Sequence, residues 1–207
     1  MPLILNMEVN RMNFLGLSPT EEHSLLPDMR LTYGLQDIVI RPGTVIDVDS
    51  IMAMHDRLSE ASLHKRYHRP WRPSRDNVAW ICRLCGENGR LLVAELPGRA
   101  SQIVGMAYYV AEDEKTAEAA FLVEDRFQGQ GLGKQIVQAL AQQAIARGIR
   151  FFDAHVLTSN RAMIHLLQRT GQIVHEKLSM STYEMRVELN AQQEPSLCGG
   201  NYGISGD

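Results

Sequence analysis

The sequence predicts a mixed α+β domain in which helices come first, an antiparallel meander follows, and strand–helix–strand units close the fold. Three observations predict it. The apolar runs "RLLVAEL", "QIVGMAYYVAED" and "TAEAAFLVED" are short and separated by "PGRASQ" and "EDEK", the spacing of a meander. Two segments, one after Asp47 and one after Gly131, repeat apolar residues every three to four positions, the period of a helix with one buried face. "IRFFDAHVL" and "NRAMIHLLQRT" then alternate strand with helix. Hydrophobic residues at 44% and charged residues at 22% of 207 are enough for one domain with a real core.

Each element has a local reason. Residues 1–35 show no sustained period, and "GLSPTEEHSLLPDMR" mixes proline with charge, so an irregular extension with at most one short helix is expected. "DIVIRPG" reads as a strand. "DVDSIMAMHDRLS" places Val48, Ile51, Met52 and Met54 or His55 on one helical face, with Asp47 as the N-cap. A second short helix follows Ser59. "SRDNVAWICRLC" is a third, with Val78, Ile81, Cys82 and Cys85 together. After the meander, Leu132, Ile136, Val137, Leu140, Ala141, Ala144 and Ile145 mark a strong amphipathic helix, ended by Gly148. A strand, a helix stopped by Gly171, and the closing strands "QIVHEKL" and "TYEMRVEL" complete residues 36–190. Residues 191–207, rich in Gly, Asn, Gln and Ser, are expected to form a flexible tail.

The sharpest local signal is "FQGQGLGKQ", with Gly129, Gly131 and Gly133 on a strand-to-helix turn. Glycine is costly unless the backbone must turn sharply or approach something closely. The first N–H groups of a helix lack partners within it and carry partial positive charge, so a phosphate or diphosphate is the natural guest. A P-loop would need glycine at 128 and a hydroxyl at 135, and both are glutamine. A dinucleotide fingerprint would need glycine at 134, where lysine stands.

Gln128-Gly129-Gln130-Gly131-Leu132-Gly133 resembles Q/R-x-x-G-x-G/A, the coenzyme A diphosphate loop of the GNAT superfamily of N-acetyltransferases. The likeness extends to "AEAAFLVEDRFQGQGLGKQIVQAL" as that family's fourth strand, loop and third helix. It extends also to "VLTSNRAMIHLLQRTG" as its fifth-strand exit and fourth helix, with Asn160 at the usual asparagine position. "MHDRLSEASLHKRYH" resembles the first helices of the bacterial protein-lysine acetyltransferases. The resemblance implies a GNAT fold over about residues 36–190: a twisted, mostly antiparallel sheet of six to seven strands flanked by about four helices.

It also implies acetyl-CoA as co-substrate. N–H groups of residues 129–134 would grip the diphosphate, with Lys134 adding charge or standing solvated. The fourth and fifth strands would splay, and the pantetheine arm would bond main chain near Leu122 and Val123. The Val123 N–H would face the thioester carbonyl as an oxyanion donor. Asn160 would bond the arm or the strand opening, and caps its helix equally well.

A primary amine has a reference pKa near 10.4 and arrives charged, so a base must take a proton, directly or through water. Glu118 matches the glutamate that the protein-lysine branch uses there. Alternation puts Glu118, Ala120 and Leu122 on one face of the strand, where apolar neighbours would raise the carboxyl's basicity. Glu124 ranks below Glu118 as the candidate base. The family's tyrosine acid, seven residues after the asparagine, is replaced by Leu167, as is common in the protein-lysine branch. His165, Ser159 or water are the alternatives for protonating the thiolate. Gln172 stands where the family usually has phenylalanine.

"HKRYHRPWRPSR", residues 64–75, carries five Lys or Arg, two His and two aromatics in the segment that would line the acceptor cleft. A basic rim suits an acidic protein surface around a target lysine or an anionic small molecule. It suits equally the coenzyme's 3′-phosphate, or a solvated loop anchored by Tyr67 and Trp71. The acceptor is thus an amine, either protein lysine or small molecule, and a catalytically silent acyl-CoA sensor is the contrasting class. A net charge of −3 disfavours nucleic acid as a partner. No apolar run approaches the roughly 20 residues that span a bilayer, and the start has no basic flank of a signal peptide, so a cytoplasmic location is expected. No metal is expected: Cys82 and Cys85 form a C-x-x-C with no second pair, and Cys198 is alone. A homodimer is left open.

Overall fold

The computed structural model describes residues 29–33, 36–96, 98 and 102–190. The expected tail, Cys198 and the short helix expected in the N-terminal stretch lie outside the described residues. Eight strands form one sheet: β1 (Met29–Tyr33), β2 (Gln36–Pro42), β3 (Gly89–Leu96), β4 (Gln102–Ala111), β5 (Thr116–Val123), β6 (Phe151–Leu157), β7 (Gly171–Ser179) and β8 (Thr182–Leu189). Their order is β1-β2-β3-β4-β5-β6-β8-β7, and every neighbouring pair is antiparallel except β5–β6. The helices are α1 (Val48–Asp56), α2 (Glu60–Tyr67), α3 (Arg75–Asn88), α4 (Leu132–Ala146) and α5 (Arg161–Thr170).

Two local expectations need correction. β1 lies within the stretch expected to be irregular. It pairs with β2 from Met29↔Ile40 to Tyr33↔Gln36, and this partner, invisible to local periodicity, supplies its ladder. Asp47 does not cap α1 with its side chain. A 3-10 turn, Val45–Asp47, runs straight into α1, and Thr44 caps that turn in a reciprocal capping box. The Asp47 carboxylate instead accepts from the Thr44 N–H at 2.8 Å and from Arg41 at 2.7 Å.

The centre of the sheet is buried on both faces, while β7 at its edge is largely exposed. On one face, α4 lays Leu132, Ile136, Val137, Leu140 and Ala144 against Leu92, Ala107, Tyr109, Ala119 and Phe121, and α5 adds Ile164 and Leu167. On the other, Val48, Ile51 and Met54 of α1, Leu63 and Tyr67 of α2, and Val78, Ile81, Cys82 and Cys85 of α3 cover Leu91, Val93, Met106, Tyr108, Val110 and Leu122. Each such aliphatic side chain contributes about 1.5–3 kcal/mol relative to exposure. Cys82 and Cys85 are core thiols, as expected. Burial pushes Cys82 up to about 11 and Cys85 further still, so neither is a ready thiolate.

The feature that positions the site is the parallel pair. β5 and β6 are in register only at Thr116↔Phe151, Ala117↔Phe152 and Glu118↔Asp153. Beyond Glu118 the two strands part, while β5 stays paired to β4 as far as Gly105↔Val123.

Candidate active site

A cavity of about 210 Å³ occupies the wedge where β5 and β6 separate. Its walls are β5 from Glu118 to Val123 and β6 from Ala154 to Val156. Ser62, Lys65 and Arg66 come from α2, His68 from its C-cap, and Gln128, Gly129 and Gly133 from the mouth of α4. Asn160, Met163 and Leu166 come from α5 and its cap. Among the described residues no group of three or more His, Cys, Asp or Glu is arranged to hold a metal ion.

The α4 end is made of backbone. Gly129 and Gly131 have φ of 71° and 95°, left-handed values that cost any residue with a Cβ about 1–2 kcal/mol. Left-handed residues of this kind turn main-chain N–H groups inward as an anion cradle. Gly131 is the N-cap of α4 and no side chain caps it, so the first-turn amides of Gly133 and Lys134 are presented to the cavity end by helix geometry. The Gln128 side chain clamps the turn from outside, donating from Nε2 to the Val123 carbonyl at 2.8 Å and to Ser62 Oγ at 3.0 Å. Gln130 likewise donates to the Arg126 carbonyl. The Leu132 side chain is wholly in the core, and Lys134 is half-buried beside the cavity rather than in its wall.

The strand wall has a definite polarity. The Glu124 N–H donates to the Val104 carbonyl at 2.9 Å, which makes Gly105↔Val123 the pair without mutual hydrogen bonds. Alternation then turns the N–H groups of Phe121 and Val123 off β4 toward the wedge. The Leu122 main chain is turned to β4, and Leu122 reaches the cavity by its buried side chain. Glu124 is not in the cavity. It is buried under ion pairs with Arg57 at 2.9 Å and Arg126 at 2.7 Å. Asn160 lines the cavity, and its Oδ1 accepts from the Met163 N–H at 3.3 Å as the cap of α5.

Glu118 stands at the vertex, where the strands begin to part, on the face of β5 that α2 covers. Its surroundings differ from the apolar ones expected. Asp153 is its register partner and is held by Arg186 through two hydrogen bonds of 2.7 and 2.6 Å. Arg66, close enough to feel the Glu118 charge, donates to the Tyr108 hydroxyl at 2.7 Å. Burial pushes that hydroxyl well above the usual tyrosine range.

A family model described as the acetyltransferase (GNAT) family matches residues 53–172, more than half of the chain. The chain belongs to this family. It is 28% identical over 151 residues to acetyltransferase Pat of Mycolicibacterium smegmatis, covering 72% of this chain and 45% of that protein. It is 34% identical over 73 residues to the uncharacterized N-acetyltransferase YycN of Bacillus subtilis, covering 33% of this chain and 47% of that protein. The chain thus spans about half the length of the curated relatives it matches. Among solved structures, the GNAT domain of S. lividans PAT superposes with a TM-score of 0.68 at 24% identity, over 78% of this chain and 97% of that one. Salmonella typhimurium yncA, solved with its cofactor acetyl-CoA, superposes with a TM-score of 0.59 at 22% identity, over 78% and 99%. These likenesses establish the GNAT fold, mostly antiparallel with five helices.

The basic segment of this GNAT chain is only partly at the site. Lys65, Arg66 and His68 line the cavity. Arg72 is paired to Glu60 at 2.6 Å and Arg75 to Asp49 at 2.9 Å, while Arg69 lies over the Trp71 ring. Tyr67 and Trp71 pack edge-on, and Tyr67 reaches His55 Nε2 at 2.7 Å. One residue with no expected role, His155, belongs to the site, and His68 of the basic segment joins it. His68 adopts the left-handed conformation at the end of α2, which turns it over the cavity, and His155 faces it from β6. Strand alternation was the available signal for His155, since it shares parity with Asp153. Leu167 is in the core, and His165 and Ser159 are exposed away from the cavity.

Proposed function

We propose that this chain transfers an acetyl group from acetyl-CoA to a primary amine by direct attack, with Glu118 as general base. The observation that carries this reading is the single wedge that runs from the backbone cradle at α4 to the carboxylate of Glu118. In it the amides of residues 129–134 hold the diphosphate, with Gln128 fixing the turn. The Val123 main chain bonds the pantetheine arm as an added strand edge, and Asn160 holds the far side. Placement of this kind supplies up to about 7–11 kcal/mol of the barrier.

Strand geometry refines one assignment. At about 3.3 Å per residue, Val123 is roughly 17 Å along the strand from Glu118, too far for one reacting carbonyl to meet both. The Phe121 N–H, turned the same way, is roughly 10 Å away. We therefore assign the oxyanion bond to Phe121 and leave Val123 to the arm. Glu118, acting through water, takes a proton from the incoming ammonium, and the Phe121 N–H stabilises the developing oxyanion, worth about 3–4 kcal/mol in such sites. The likeness to the protein-lysine branch supports a lysine side chain as acceptor. A small amine is the alternative.

Release of free thiol from acetyl-CoA, measured against a panel of amines and lysine peptides, tests the reading. Turnover with at least one acceptor is expected. Saturable coenzyme binding with no thiol release from any acceptor would instead make the chain a sensor.

A further inference from the structure

The departing sulfur develops negative charge, and the helix position that carries a tyrosine elsewhere in the family is Leu167, apolar and fully buried. We infer that His155 supplies the hydrogen bond that stabilises this sulfur. The inference rests on the acetyl-transfer reading above.

Three observations carry it. Continuing the register from Glu118↔Asp153 sets His155 opposite Ala120, level with the stretch between Glu118 and Phe121 where the reaction is assigned. Of the lining side chains with a donor hydrogen, His155 is the one that stands on a strand bordering the wedge. Ser62 Oγ donates to Asp125 at 2.8 Å, and Gln128 is committed to Ser62 and Val123. Finally, His155 Nδ1 is sealed from solvent and has no hydrogen-bond partner among the described residues. A buried N–H without an acceptor costs more than a buried lone pair, so the proton sits on Nε2, and the ring meets the cavity as an N–H donor.

The step balances without a proton passing through the ring. The amine nitrogen bonds to the carbonyl carbon, and the C–S bond breaks with its electron pair on sulfur. A primary ammonium loses two protons on becoming an amide. Glu118 takes the first and returns it to solvent. The second leaves nitrogen after attack and ends on sulfur, giving the thiol. His155 Nε2–H holds the sulfur while its charge builds.

His155→Phe keeps ring volume without a donor, and His155→Gln keeps an N–H. With the acceptor found for the wild type, kcat of His155→Phe is expected to fall about 100-fold, with the Kd for CoA within about twofold of wild type. His155→Gln is expected to stay within about tenfold of wild type, and added imidazole to raise the rate of His155→Ala at least about fivefold. If His155→Phe does not fold, the imidazole response decides. A His155→Phe kcat within about threefold of wild type overturns the inference. So does an equal loss in the Gln and Phe variants without imidazole rescue, or a rise in KM for the amine alone. A wild type that releases no thiol with any amine overturns the acetyl-transfer reading as well, whereas an active wild type with an active His155→Phe overturns this inference alone.

Discussion

The two ends of the β5–β6 wedge are built from different materials. The α4 end is main chain: left-handed glycines, first-turn amides and a glutamine clamp, all within residues 128–134. The Glu118 end is side chains gathered from α2 and its C-cap, β4, β5 and β6, with Arg66, His68, Tyr108, Asp153 and His155 at the end of the wedge that holds one carboxylate. A binding surface made of backbone is fixed by local conformation, so substitutions there act through φ and helix geometry. A reaction centre made of side chains is fixed by the sheet, so substitutions there act on chemistry and leave the grip intact. The two ends should therefore separate in experiment.

The largest separation is expected from Glu118→Gln. With Glu118 as the proposed base, its loss should lower kcat by about 10²–10⁴-fold while the Kd for CoA, read by calorimetry, stays within a fewfold. Equal damage to both would erase the distinction between the ends. Gly131→Ala should do the reverse. At φ 95° the new Cβ strains the turn by about 1–2 kcal/mol, so CoA binding should weaken about tenfold while kcat at saturating coenzyme changes little. Asn160→Ala sharpens the comparison, because Asn160 touches the wedge and caps α5. Loss of the cap should cost about 1 kcal/mol, a fall in melting temperature of roughly 2–8 °C, with only a modest loss of coenzyme affinity.

The smallest effect is a pH dependence at the side-chain end. Burial first, and the nearby Arg66 charge with it, hold His68 below the ordinary histidine value, with further contributions from His155 and His64. Burial likewise lowers His55 under α2, against the opposing pull of the Ile51 carbonyl. Both rings are disfavoured as cations in the folded chain, so the unfolded chain binds more protons below about pH 6.5. Their contribution to stability is full above that pH and is lost as pH falls through the lowered folded values. Melting temperature should drop between about pH 7 and pH 5, and His55→Gln should flatten the drop.

The same contrast explains what could be read from the sequence. The α4 end was legible because glycine spacing and helix periodicity are local, and the structure sets Gln128, Gly129 and Gly133 in the cavity wall. The meander and the face of β5 that holds Glu118, Ala120 and Leu122 followed from alternation. Strand β1 was not legible, because its order comes from β2 rather than from its own pattern. Nor was the role of Asp47, whose partner Arg41 arrives from β2, or the division of the basic segment between cavity and ion pairs. His155 went unread although alternation gives it the face of Asp153, because its place at the wedge depends on where the register of β5 and β6 stops.

The central claim is that main-chain amides at the mouth of α4 hold a diphosphate. Calorimetric titration of CoA, and separately of pantetheine, which lacks the diphosphate, tests it most directly. The account predicts saturable one-site binding of CoA and at least about 100-fold weaker binding of pantetheine. Equal affinity for the two, or no saturable heat with CoA on folded protein, would contradict it.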